Sequence, residues 1–153
     1  MLRAVGRTRK ADTIDKIASL RKQLTTSFEG LSANQMLERL PGGWSVKDIV
    51  THVTSWEELI LLDLRRIQHG RQPARYHASN DTWNPVLMNG RQAFSLDQVL
   101  AEFVEVHHAV VNILEALDDS LIPGDVTGIC NVLAFHDWEH TTQINVWRKQ
   151  MQI

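Results

Sequence analysis

Leu133-Ala134-Phe135-His136-Asp137-Trp138-Glu139-His140-Thr141-Thr142-Gln143-Ile144 decides how this chain folds. At a 100° step per residue its Leu133 and Ile144, with Val126, Ile129 and Trp147, fall on one side of a helix. That helix is expected to run from Asp125, as its N-cap, to about Lys149. Three further segments repeat the period. The first spans about Asp12 to Glu29, with Ile14, Ile17, Leu20, Leu24 and Phe28 as its stripe and Gly30 as its stop. The second opens at Ser45, an N-cap with Asp48 near the positive helix end, and closes at Gly70. Its stripe is Val46, Ile49, Val53, Trp56, Ile60, Leu64 and Ile67. The third begins at Ser95 and Gln98, a capping box, and reaches about Leu117 through Leu96, Val99, Phe103, Val106 and Val110. Ser32 and Gln35 mark a short extra turn of helix before the loop Pro41-Gly42-Gly43.

Four amphipathic helices around one core make an all-α four-helix bundle, expected as a single domain over residues 1–153 with 1–11 as a flexible tail. The polar stretch from Gly70 to Phe94 reads as a loop too long for a simple antiparallel turn. It is expected either to cross over, leaving the second and third helices parallel, or to act as a lid carrying Trp83, Asn84, Leu87 and Asn89.

Composition narrows the function classes. The 153 residues include 16 Lys+Arg against 18 Asp+Glu, seven His and one Cys, with 43% hydrophobic and 22% charged residues. One cysteine excludes a disulfide framework and an all-cysteine zinc site. A formal charge of −2 argues against a dedicated nucleic-acid binder, so no nucleic-acid partner is expected. Arg3, Arg7, Arg9 and Lys10 lie in the tail, which holds no apolar run of signal-peptide length. No stretch approaches the roughly 18 apolar residues of a membrane span. The expectation is a cytoplasmic protein with no membrane association.

The histidines carry the chemistry. His136 and His140 are four apart, so both imidazoles share a helix face, and that face is the apolar stripe. Two unsatisfied imidazoles in an apolar interior are costly. A divalent metal satisfies both, since neutral imidazole is a common ligand. The competing reading is a pair of core histidines bonded to backbone or carboxylate groups. A third ligand is expected upstream. His52 lies about 90° from the centre of the second stripe, at the edge of the apolar face; alone it is a boundary residue, and with the pair it completes a three-His site. His107 projects inward on the third helix and reads first as a bonded core residue, second as part of the site. His108, His69 and His77 are expected in solvent.

His136-Asp137-Trp138-Glu139-His140 also satisfies the H-x-x-E-H pattern of inverted zinc proteases. Glu139 lies about 100° from His140 and would not face the same metal, so that reading is rejected.

Trp44-Ser45-Val46-Lys47-Asp48-Ile49-Val50-Thr51-His52-Val53-Thr54-Ser55-Trp56-Glu57 resembles the DinB/YfiT-like superfamily, whose members show Trp-Ser, a charged helix start, a His and an aromatic–acid pair. His136 to Ile144 is similar to its second signature, two His four apart followed by Gln-Ile. Trp83-Asn84-Pro85-Val86-Leu87-Met88-Asn89 with Ser95 is similar to the ClbS/DfsB branch. The resemblance implies a four-helix bundle of unusual connectivity, often a homodimer, and a divalent metal on His52, His136 and His140. It also implies activities that differ between members, from thiol-dependent transfer or isomerisation to hydrolysis of a reactive genotoxin.

Three protein ligands leave a fourth position open, the catalytic arrangement for zinc. An all-imidazole set suits Zn, Cu, Fe or Ni, and zinc is expected first, with nickel and iron as alternatives. Cys130 lies about 80° off its stripe centre, so a thiol nucleophile would be a low-molecular-weight cosubstrate. Glu57, near the inward face one turn beyond His52, is the candidate catalytic base; it could equally bond a ligating histidine or reach solvent. Asp137 and Gln143 flank the His pair, where they either orient it or bond between helices. Trp44, Trp56 and Trp83 line a pocket or fill the core. Two functions follow from this site. One is a metal-dependent hydrolase or thiol transferase acting on a small electrophilic or xenobiotic molecule. The other is a non-catalytic binding or sequestering protein.

Overall fold

A computed structural model describes residues 9–74 and 80–153; His77 and the expected tail ahead of Arg9 lie outside the described residues. Four long helices form the bundle: α1 (Arg9–Phe28), α3 (Val46–Gln68), α5 (Leu96–Ala116) and α6 (Thr127–Met151). Two short ones sit between them, α2 (Ala33–Leu37) and α4 (Asn80–Asn89). Capping boxes start α2, α3 and α5: Ser32, Ser45 and Ser95 accept from the backbone of Gln35, Asp48 and Gln98, whose side chains bond back. Each box satisfies two otherwise orphaned amides, which is why those three starts are legible in the sequence.

Three boundaries differ from expectation. α1 begins at Arg9, so residues 9–11 are helix rather than tail. The reason is an anchor: Lys10 Nζ donates to the carbonyls of Glu115 (3.2 Å) and Leu117 (2.8 Å) at the C-terminal end of α5 and pairs with Asp119 (2.8 Å). Asp125 does not cap α6. The chain kinks at Pro123 and at Gly124, whose φ of 85° suits only glycine well, and Val126 is already helical with no side-chain cap. The stretch expected as loop contains α4, in which Pro85 sits inside the helix and no residue is buried.

Core composition fixes the helix directions. Val46, Ile49, Val50 and Val53 at the start of α3 share one apolar cluster with Val99 and Phe103 at the start of α5. Leu64 and Ile67 at the end of α3 share the other with Val110, Ile113 and Leu114 near the end of α5. The second and third long helices are therefore parallel, and the segment containing α4 is the crossover. α1 and α6 run the opposite way: Ile17 and Leu133 belong to the second cluster, Leu24, Phe28, Ile144 and Trp147 to the first.

A charged layer separates the two clusters. Arg21, Glu57, His107 and Asp137, one from each long helix, are all buried. Each occupies a stripe position: Arg21 lies between Ile17 and Leu24, and Asp137 between Leu133 and Ile144. On α3 the buried residue at this level is Glu57, while Trp56, expected in the stripe, is only partly buried.

Candidate metal centre

Beside that layer, on the α3–α6 side, three imidazoles converge. One ring nitrogen from each of His52, His136 and His140 lies within 4.8 Å of the others. The Nε2 atoms of His52 and His136 are 2.6 Å apart. Tetrahedral zinc with nitrogen ligands holds them about 3.3 Å apart, inside the span seen here. His140 shows which atom is free. Its Nδ1 lies 3.0 Å from the Gln143 side-chain oxygen, which can only accept, so Nδ1 carries the proton. Its Nε2 is left buried with no hydrogen-bond partner, as is His52 Nδ1. A buried nitrogen lone pair without a donor is costly unless something binds it. These donors fit a divalent ion.

Electrostatics agree. Burial, helped by the neighbouring His140, pushes His52 down to about 3. Burial, then the charges of His52, His140 and Arg21, pushes His136 down to about 2. Burial also lowers His140. All three are neutral at pH 7, the form that binds metal.

Local structure explains the placement. The loop after α2 closes with the Leu40 amide donating to the Trp44 carbonyl (2.8 Å). That turn sets the Trp44 ring against His52 (4.7 Å between centroids) and His140 (6.3 Å). Trp56 Nε1 donates to Asn84 Oδ1 of α4 (2.9 Å), fastening the crossover to the wall of the site. A cavity of about 370 Å³ results, bordered by Trp44, Trp56, Asn84, Phe135, Glu139 and the three histidines.

The structure brings the three histidines together, with Gln143 beside His140. His107 and Asp137 lie in the charged layer instead, and so does Glu57, which is 0% exposed and does not line the cavity. Its Oε2 accepts from Arg21 Nη1 (2.8 Å) and its Oε1 lies 2.7 Å from His107 Nδ1, so neither oxygen reaches solvent or the histidine cluster. Arg21 also holds Asp137 through two bonds, 2.8 and 3.1 Å, and stacks 4.4 Å above the Phe103 ring. Burial raises the Asp137 carboxyl above its ordinary value against the pull of Arg21. Sequence reasoning misses Arg21, although it breaks the apolar stripe of the first helix at an inward position. Glu139, expected to face away from the metal, nevertheless borders the cavity. Cys130 is buried in the core, and burial pushes its thiol up to about 11, which leaves it inert. His69 and His108 are exposed, as expected. Trp83 sits on α4 and does not border the cavity.

The model of the DinB superfamily matches residues 16–144. The chain belongs to the DinB superfamily. No curated protein matches it in sequence. Among solved structures, the chain is similar to DfsB, a sibling lethal factor precursor, at TM-score 0.81 and 16% identity over 95% of this chain and 98% of that one. It is similar to the colibactin self-resistance protein ClbS in complex with a dsDNA, at TM-score 0.79 and 16% identity over 95% and 98%. It is also similar to YfiT from Bacillus subtilis, a probable metal-dependent hydrolase with an unusual four-helix bundle topology, at TM-score 0.70 and 17% identity over 99% and 93%. These likenesses establish the DinB-like bundle. They also correct one expectation. ClbS carries the same fold and is seen with dsDNA, so the exclusion of nucleic acid drawn from net charge does not hold. A whole-chain charge near zero says nothing about a local surface. Among the described residues, no helix is long and apolar enough to cross a membrane.

Proposed function

We propose that this protein holds one divalent ion, zinc first, on His52, His136 and His140 and uses it on a small molecule bound in the adjoining cavity. The unpartnered, buried Nε2 of His140 carries the reading: its lone pair points into the cluster with no donor to meet it. When bound, such an ion would bring a water or a small-molecule thiol toward deprotonation near neutral pH, the chemistry of a hydrolase or a thiol transferase. Gln143 fixes the tautomer of His140. Trp44 covers two of the rings and keeps water from their faces. Glu139, at the cavity border, is the carboxylate placed to take a proton from a bound molecule.

A second reading is sequestration without turnover. The burial of Glu57 favours it, because that carboxylate is occupied by Arg21 and His107 and is not free to act as a base. Elemental analysis of protein purified without a His tag tests the metal. About one ion per chain is expected, lost in both His136→Ala and His140→Ala; metal retained at full stoichiometry by both variants overturns the site. Glu139→Gln then separates the two readings, since turnover falls and ligand affinity stays under the first.

A further inference from the structure

The wall that the crossover lends to the histidine cavity is polar. Asn80 and Asn84, four residues apart on one face of α4, both border the cavity. Val86, about 200° round the helix from Asn84, is turned to solvent and is 62% exposed. A helix that only packed against the bundle would carry the reverse pattern, apolar side chains inward and polar ones outward. Breaks in that pattern are expected where an element meets a ligand rather than a core.

Trp56 fixes which way round the Asn84 amide sits. An indole N–H can only donate, so the atom it meets at 2.9 Å is the amide oxygen. The NH2 group lies on the other branch of the same planar amide, turned away from the indole nitrogen. What Asn84 offers a molecule in the cavity is therefore chiefly a pair of N–H donors. The same indole links this group to the histidine cluster, since its ring lies 6.5 Å from the His52 ring. Amide donors and imidazoles thus flank one tryptophan, and Trp44 and Phe135 complete an aromatic border.

We propose that Asn84 sets the specificity of this cavity by donating from its amide to a carbonyl oxygen carried on a flat aromatic molecule. It rests on reading the histidine cavity as a small-molecule site, and it names the class of molecule, an aromatic carbonyl compound. Acetophenone and α-methylstyrene test it, since they share a shape and differ by an oxygen in place of a methylene group. Binding is followed by NMR through the indole N–H signals of Trp44 and Trp56, which border the cavity. Asn84→Asp keeps an oxygen for the Trp56 N–H and removes both amide donors, so α4 stays in place, and unchanged melting checks this. The ketone is expected to bind that variant about tenfold more weakly, the worth of one hydrogen bond, while the alkene changes by less than about twofold. Asn84→Ala removes the donors without adding a charge and should weaken the ketone in the same sense. A loss confined to Asn84→Asp is repulsion by the new charge and overturns the proposal. So do equal losses for ketone and alkene in Asn84→Asp, no loss for either, or no measurable binding of the ketone. The selective loss is expected with zinc and in EDTA alike, because the donor belongs to α4; a loss that appears only with zinc assigns the carbonyl to the ion and overturns the proposal. Metal content of the same preparations keeps the two readings apart: a selective loss without metal overturns the metal centre alone, and about one ion per chain without a selective loss overturns the role of Asn84 alone.

Discussion

His52 and His136 are imidazoles that the fold keeps neutral, pushed to about 3 and about 2 by burial first and then by neighbouring charges, His140 for His52 and His52, His140 and Arg21 for His136. Unfolded, each takes a proton near 6.5. A folded value below the unfolded one means stability is fully present above pH 6.5 and is lost progressively below it, down toward pH 3. Between pH 7 and 5.5 the metal-free protein should therefore lose about 1 kcal/mol for each of these two residues. Urea unfolding in EDTA at both pH values measures this; because His140 is lowered as well, His136→Gln should remove roughly a third to a half of the loss. An equal stability at the two pH values would show that the rings are not held neutral. The residue pair at i and i+4 is readable in the sequence because one helix carries it. His52 is readable only as an edge residue, since nothing in its own helix says which neighbour the edge faces.

At the scale of elements, the crossover is the weakest part. α4 buries no residue; among its ties are the Trp56–Asn84 bond, a bond from Ser55 Oγ to the Leu87 carbonyl (3.4 Å), and Arg91 just beyond its end. Arg91 reaches Ser55 (2.9 Å), Glu58 (2.7 Å) and Glu102 (2.6 Å), joining the crossover to both α3 and α5. Those carboxylates are partly exposed, so each pair is worth little globally. Arg91→Ala should cost about 1 kcal/mol or less overall. It should nevertheless raise hydrogen exchange across 80–89 well above that of α3, because local opening has few other contacts to resist it. Unchanged protection of α4 would show that its other ties, Trp56–Asn84 and Ser55 Oγ to the Leu87 carbonyl (3.4 Å) among them, hold the crossover down without Arg91. The sequence hides α4 because the helical spacing of Trp83, Val86 and Leu87 lasts only about one turn and Pro85 interrupts it; the three capping boxes are plain because each is a local hydrogen-bond pattern.

For the whole molecule the deciding feature is the charged layer. Arg21, Glu57, Asp137 and His107 divide the core into two apolar clusters and link all four long helices. Removing the cation leaves two carboxylates buried without it. Arg21→Ala should cost about 3–5 kcal/mol. Arg21→Met with Glu57→Gln and Asp137→Asn should be less costly than Arg21→Ala alone, since neutral groups replace the orphaned charges. Chemical denaturation of both variants checks the order; the reverse order would mean that the layer is held by shape rather than charge.

The sequence by itself determined that there are four amphipathic helices, where three of the helical segments begin, and that two histidines share an inward face. Those are local matters of period and capping, set within a few turns of chain. Only the tertiary structure decided that His52 meets that pair, that the second and third long helices are parallel, and that Glu57 turns to Arg21 rather than to the cavity. Each charged stripe residue looks, in its own helix, like a gap in an apolar pattern. That four such gaps fall at one level and bond to one another depends on how the helices are set side by side, which no single helix encodes.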